Sequence, residues 1–150
     1  MPQGTPTGPG QAAFRYKRRL HFSETDMAGI AHFSVYFRFM EEAEHALWRA
    51  AGLSIGDVAL TGGWPRVSAA FDYRSPLRFG DEFEVAVRIG TVTRRSLQYE
   101  FTIMRGDVLV GTGSLTAVST AREDGRLRAV DIPPEMIARL RSTAGQQEDR

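Results

Sequence analysis

The chain has no cysteine, which excludes disulfides, thiolate metal sites and a cysteine nucleophile together. It has no excess of one charge either: 19 Lys and Arg against 18 Asp and Glu leave a net charge of +1 over 150 residues. Wholesale nucleic-acid binding ordinarily leaves a stronger basic imbalance. No apolar run approaches the roughly 18 residues that a membrane-spanning helix needs. The start, MPQGTPTGPGQAA, lacks the basic and apolar regions of a secretory signal, and no internal repeat is visible. These absences predict a cytoplasmic protein with neither a nucleic-acid nor a membrane partner. What is present is a globular balance, 42% hydrophobic and 25% charged residues, in a length suited to one domain. The Gly- and Pro-rich start reads as a flexible tail over residues 1–13, the polar end as another over 142–150, and the domain as 14–141.

Phe14 to Phe22 alternates without a break, with Arg18 the one charge on its apolar face; period two over this length predicts a half-buried strand. From Phe33 to Ala51 the period changes. Phe33, Tyr36, Phe37, Met40, Ala43 and Leu47 share one side of a helix, with Ser34 as its N-cap and Gly52 as its C-terminal glycine. Leu53 to Trp64 reads as a Gly-rich connection with room for one helical turn. Strands are predicted at Val67–Tyr73, Glu82–Thr93, Arg95–Arg105 and Val108–Thr120, reversing at Thr93-Arg94 and at Gly106-Asp107. Asp124-Gly125 marks a surface turn, and Pro133-Pro134 opens a last helix, Glu135–Arg141. One strand, one helix and then four strands is not the alternating order of a parallel sheet. It predicts an α+β fold, an antiparallel sheet wrapped around one long helix.

The segment FSETDMAGIAHFSVYFRFMEEAE, between first strand and helix, has the most chemistry in it. Asp26 lies just ahead of a glycine turn that delivers the chain into a helix start. Such a start presents unpaired N–H groups and the positive end of a dipole, which can hold a thioester carbonyl oxygen. A carboxylate beside it can take a proton from water or attack the carbonyl carbon. The competing reading is an Asp that only bonds its own turn. Elsewhere, Glu44 interrupts the apolar side of the helix, as a second acid or as a carboxylate paired across a dimer. Trp48 and Trp64 read as packing. His21 and His45 have no ligand spacing, so no metal is expected.

Residues Ser23 to Glu41, with Asp26, Gly29, His32 and Tyr36, resemble the signature of the hydroxybenzoyl-CoA thioesterase-like branch of the hotdog superfamily. The resemblance continues in order through Tyr73 to Asp81, Thr93 to Leu97 and Asp124 to Pro133, spanning about 14–141. It implies a curved antiparallel sheet around one long helix, the hotdog fold, assembled as a homodimer or homotetramer. It also implies hydrolysis of an acyl-CoA substrate without metal or other cofactor. By the same match Asp26 is the catalytic carboxylate, and the backbone N–H near Phe33 is the donor to the thioester carbonyl. Arg94, Arg95 and Ser96 fall where family members contact the CoA nucleotide. His32 sits one position before a histidine found in some relatives, where this chain has Phe33. It either orients water or Asp26, or caps the turn. Two rivals remain: a hotdog hydratase or dehydratase, which usually shows an Asn-Pro absent here, and a non-catalytic acyl-CoA-binding module.

Overall fold

The alternation that opens the chain becomes strand β1, Phe14–Arg19, yet it stops three residues before the pattern does. The computed structural model of the protein describes residues 11–55 and 62–146. Past Arg19 the backbone leaves its neighbour: the Leu20 N–H donates to the Asp81 carbonyl at 2.9 Å, and Phe22–Glu24 winds into a 3-10 turn. Phe22 therefore points outward, edge-on to Phe79 with ring centres 5.8 Å apart. Helix α1 spans Val35–Ala50, with Phe33 and Ser34 in the turn before it. Ser34 holds the expected position, but its hydroxyl meets His32 Nδ1 at 2.7 Å and does not cap the helix amides. Gly52, at φ +74, ends the helix as its type predicts.

Four longer strands follow: β2 at Arg66–Tyr73, β3 at Glu82–Val92, β4 at Ser96–Arg105 and β5 at Val108–Val118. With β1 they form one antiparallel sheet in the order β1-β3-β4-β5-β2. Alternate residues of the central strands point at the helix, among them Phe83, Val85 and Val87 of β3 and Leu97, Tyr99, Phe101 and Ile103 of β4, all buried. From α1 they receive Phe39, Met40, Ala43 and Leu47, which water does not reach at all. Each large apolar side chain buried this fully stabilises the fold by about 1.5–3 kcal/mol. Sheet and helix thus meet through one shared core, and the helix start is carried to the end of the sheet where β2 finishes and β3 begins.

Two further features depart from expectation. A two-stranded ribbon, β6 at Thr120–Glu123 and β7 at Arg126–Ala129, closes through the Asp124-Gly125 turn, both residues at positive φ. The last helix, α2, runs Pro134–Thr143. Beyond it Ala144 is buried, and the Gln146 amide exchanges two bonds with the Ile89 backbone, at 2.8 and 3.0 Å. Packed structure thus runs on past residue 141 as far as Gln146. Residues 1–10 and 147–150 of the expected tails, and 56–61 of the expected connection, lie outside the described residues.

Candidate active site

Between the 3-10 turn and α1 the chain makes a narrow two-limbed loop. The Asp26 N–H donates to the Ile30 carbonyl (2.8 Å), Thr25 bridges Ala31, and the His32 N–H donates to the Glu24 carbonyl (2.9 Å). Ala31 and Ile30 also bond to the segment at Leu77 and Arg78. Gly29 sits at φ +78 with open space where a Cβ would go, so the glycine answers a backbone requirement and not a packing one.

Asp26 caps this loop with one oxygen only. Its Oδ1 accepts the Ala28 N–H at 2.8 Å and, more weakly, that of Ile30 at 3.4 Å. Among the described residues Oδ2 has no bonding partner. One oxygen of Asp26 thus bonds its own turn, as the competing reading expects, and the other is turned to no described donor. On the other limb, the Phe33 N–H donates to no described group, whereas its carbonyl accepts the Tyr73 hydroxyl at 2.6 Å. His32 turns its Nδ1 to the Ser34 N–H (3.3 Å) and hydroxyl (2.7 Å), and its ring lies against Phe33. His32 is thus tied into the turn through Nδ1. Around the loop Met27, Phe22, Phe33, Phe79 and Tyr73 are all exposed, an apolar rim of the kind that marks a binding surface. Burial, assisted by Tyr73 and Asp26 and opposed by the Leu77 amide, raises the pKa of the Tyr36 hydroxyl beneath them.

Arg94, Arg95 and Ser96 come together at the β3–β4 turn. The two Nε groups meet Asp131 at 3.4 and 3.1 Å, and the Ser96 hydroxyl lies 2.5 Å from that of Thr93. This turn is at the far end of β3 from the Asp26 loop. The eleven residues of β3, at about 3.3 Å each, span roughly 35 Å from one end to the other. One chain does not bring the two halves of the expected site together. Among the described residues no group of three or more His, Asp and Glu could hold a metal ion, and no helix is long and apolar enough to cross a membrane.

A model of the thioesterase-like superfamily matches residues 12–140. The chain belongs to that superfamily. A protein of Aquifex aeolicus, whose name provisionally ascribes to it an esterase activity, is 30% identical over 131 residues, covering 85% of this chain and 98% of its own. A solved structure from the same organism superposes with a TM-score of 0.75 at 30% identity, covering 85% of this chain and 98% of the other. The 4-hydroxybenzoyl-CoA thioesterase of Pseudomonas sp. strain CBS-3 superposes at 0.76 over 85% of this chain and 99% of its own, with 22% identity. That likeness establishes the hotdog fold. A 1,4-dihydroxy-2-naphthoyl-CoA hydrolase of Crocosphaera subtropica is 32% identical over 76 residues, 47% of this chain and 53% of that protein.

For this member of the superfamily the structure adds groups that the sequence left unassigned. Tyr73 reaches the helix start from an edge strand 40 residues away, a contact no local pattern announces. Arg18, the misfit on the apolar face of β1, lies over the Phe39 ring at 4.6 Å and pairs with Glu24 and Glu42. Glu44 is neither free nor waiting for a partner chain: it is fully buried and forked by Arg66 of β2.

Proposed function

We propose that this protein hydrolyses an acyl-CoA thioester to the free acid and CoA, with Asp26 as the catalytic carboxylate. The observation that carries the reading is the pairing, on the two limbs of one loop, of an Asp26 oxygen and a Phe33 N–H that have no bonding partner among the described residues. The substrate carbonyl oxygen accepts from the Phe33 N–H at the positive end of α1, which stabilises the negative charge that develops on it. Asp26 then either removes a proton from the attacking water or itself adds to the carbonyl carbon. In both cases the tetrahedral adduct collapses with cleavage of the C–S bond and departure of the CoA thiolate. On the base route this gives the free acid directly and the thiolate takes the proton held by Asp26; on the nucleophile route it leaves an acyl anhydride on Asp26, which a water hydrolyses to the free acid and the restored carboxylate, that water supplying the thiolate's proton. The carboxylate and the amide suffice for this chemistry, so a chelator should leave activity intact. A single turnover in 18O-labelled water separates the two routes, because only the anhydride route can leave label on Asp26.

In this reading the active site is shared in a homodimer. The outer edge of β2 exposes Val67, Ser68, Ala69 and Ala70, small and uncharged, which favours pairing with a second copy. The other edge, β1, alternates Arg15, Lys17 and Arg19, which resists it. Antiparallel pairing of two β2 strands would carry the partner's Arg94 and Arg95 toward this chain's Asp26, where they would meet the CoA phosphates. The cytoplasm is the compartment that goes with this substrate.

Asp26→Asn tests the chemistry. Asn retains the oxygen that accepts from Ala28 and removes the anionic one, so the fold should persist while kcat falls about 10²–10⁴-fold on the best acyl-CoA of a varied panel. KM should move far less. A folded Asp26→Asn protein with near-normal kcat would sink the mechanism and leave a binding module in its place.

A further inference from the structure

Arg18 stands on the core-facing side of β1, opposite Phe83 in the β1–β3 register. A cation there needs a reason. Its guanidinium makes a two-pronged bond to Glu24, at 2.7 and 2.6 Å, and a third bond from Nε to Glu42 at 2.9 Å. The Phe39 ring closes the other side at 4.6 Å, and Glu42 also accepts the Tyr16 hydroxyl at 3.0 Å. Phe39 and Glu42 belong to α1, Tyr16 to β1, and Glu24 to the base of the Asp26 loop.

Glu24 holds that base in two ways at once. Its Oε1 also accepts the His21 N–H at 2.8 Å, closing the 3-10 turn. Its backbone carbonyl accepts the His32 N–H at 2.9 Å, tying the outgoing limb to the incoming one. Asp26 follows Glu24 by two residues, and Phe33 follows His32 by one. The Glu24–His32 rung is the one next to Phe33 and, with the Thr25–Ala31 bridge and the Asp26–Ile30 bond, it sets the spacing between the carboxylate and the Phe33 N–H. We infer that Arg18 is a positioning residue: by forking Glu24 and bracing it on α1, it fixes the distance between Asp26 and the Phe33 amide. Lysine cannot replace it, since an ammonium offers no planar fork. The inference rests on the Asp26 reading.

The test compares Arg18→Met, Arg18→Lys and Glu24→Gln with Arg15→Met, which removes another β1 ion pair, that with Glu84 at 3.1 Å. Rates are taken with the best acyl-CoA, well below the melting temperature of every variant. Misplacing reacting groups by about an ångström costs up to about 10²-fold, so Arg18→Met and Glu24→Gln should each lose about 10- to 100-fold in kcat with KM nearly unchanged. Arg18→Lys should recover only part of that, the Arg18→Met/Glu24→Gln double variant should fall no lower than the worse single one, and Arg15→Met should match wild type. A purely structural Arg18 would lower the melting temperature and leave kcat alone. Wild-type kcat in a folded Arg18→Met protein, or in Arg18→Lys should Arg18→Met not fold, overturns the positioning role. Asp26→Asn, run alongside, keeps the two readings apart: normal kcat there rejects the Asp26 mechanism, whereas its loss together with normal kcat in the Arg18 variants rejects only the brace.

Discussion

At the scale of single residues the chain places charge where water reaches it poorly, and each time a second charge accounts for it. The Arg18 and Glu24 side chains are 12% and 13% exposed. Burial alone would raise the Glu24 carboxyl, but the Arg18 fork and the His21 N–H outweigh it and the net shift is downward. For Arg18 the same burial works toward loss of the proton and is outweighed by Glu24 and Glu42. A carboxyl whose folded pKa is depressed stabilises the fold above its unfolded pKa, and that contribution fades as pH falls through the lower folded value. Glu24→Gln should therefore cost about 2 kcal/mol at neutral pH, and the gap to wild type should close below about pH 4. Urea midpoints of both proteins across that range measure it; a gap that widens toward acid pH would contradict the assignment. Glu44 shows what was not legible in sequence at this scale. Its place on the apolar side of α1 was visible, but its partner Arg66 lies 22 residues on, beyond a Gly-rich connection. The setting of Asp26, by contrast, was legible, because the turn, the glycine and the helix start are contiguous, whereas its catalytic role is what the family resemblance implies.

Among elements, the long ones were the easiest to read. The period of α1 and the alternation of β3, β4 and β5 predicted their positions to within a few residues, since each buries a regular face. The β6–β7 ribbon was missed because nearly all of its residues are exposed and carry no period, so the Asp124-Gly125 turn was its only mark. The end of β1 was overrun because Phe22 continues the alternation in sequence after the backbone has turned toward Asp81. Helix and sheet also meet more closely than ordinary side chains permit. A Cβ on Gly113 would lie 2.5 Å from Met40 Sδ and 2.9 Å from both the Ala70 carbonyl oxygen and the Phe71 ring. Something must move if one is added, and Ala70 and Phe71 belong to β2, the strand that carries Tyr73 to the Phe33 carbonyl. Gly113→Ala should destabilise the fold by about 1–3 kcal/mol, read as a lower urea midpoint at unchanged slope. The shift in β2 should also lower kcat. An alanine variant as stable as wild type would mean that α1 and β2 have more slack than their contacts indicate.

The whole molecule raises the question of how one CoA thioester could meet both the Asp26 loop and the arginine turn. They lie at opposite ends of β3, and β2 runs between the same two ends, from Arg66 near the turn to Tyr73 near the loop. In the proposed dimer a two-fold axis through paired β2 edges would reverse that direction in the second copy and bring the partner's arginine turn to this chain's loop. The acyl group would then enter between protomers, against the exposed Phe33 and Tyr73, while phosphates meet the guanidinium Nη groups that Asp131 leaves free. Sedimentation should show a dimer or a multiple of it at micromolar concentration, and a strict monomer would count against a shared site. Complementation decides the point more sharply. Asp26→Asn removes the chemistry, and Arg94→Glu/Arg95→Glu should raise KM for CoA esters, because phosphate contacts act equally in ground and transition states. With substrate supplied well below the wild-type KM, Asp26→Asn should be nearly inactive and the arginine variant slowed in proportion to its rise in KM. If the halves of each site come from different subunits, unfolding the two together and refolding them makes mixed dimers with one intact site, pairing Asp26 of one chain with the arginines of the other. With random pairing the mixture should recover about a quarter of the wild-type rate. If instead each site draws both halves from one chain, every mixed dimer keeps two defective sites, and the refolded mixture should stay at the level of its parents.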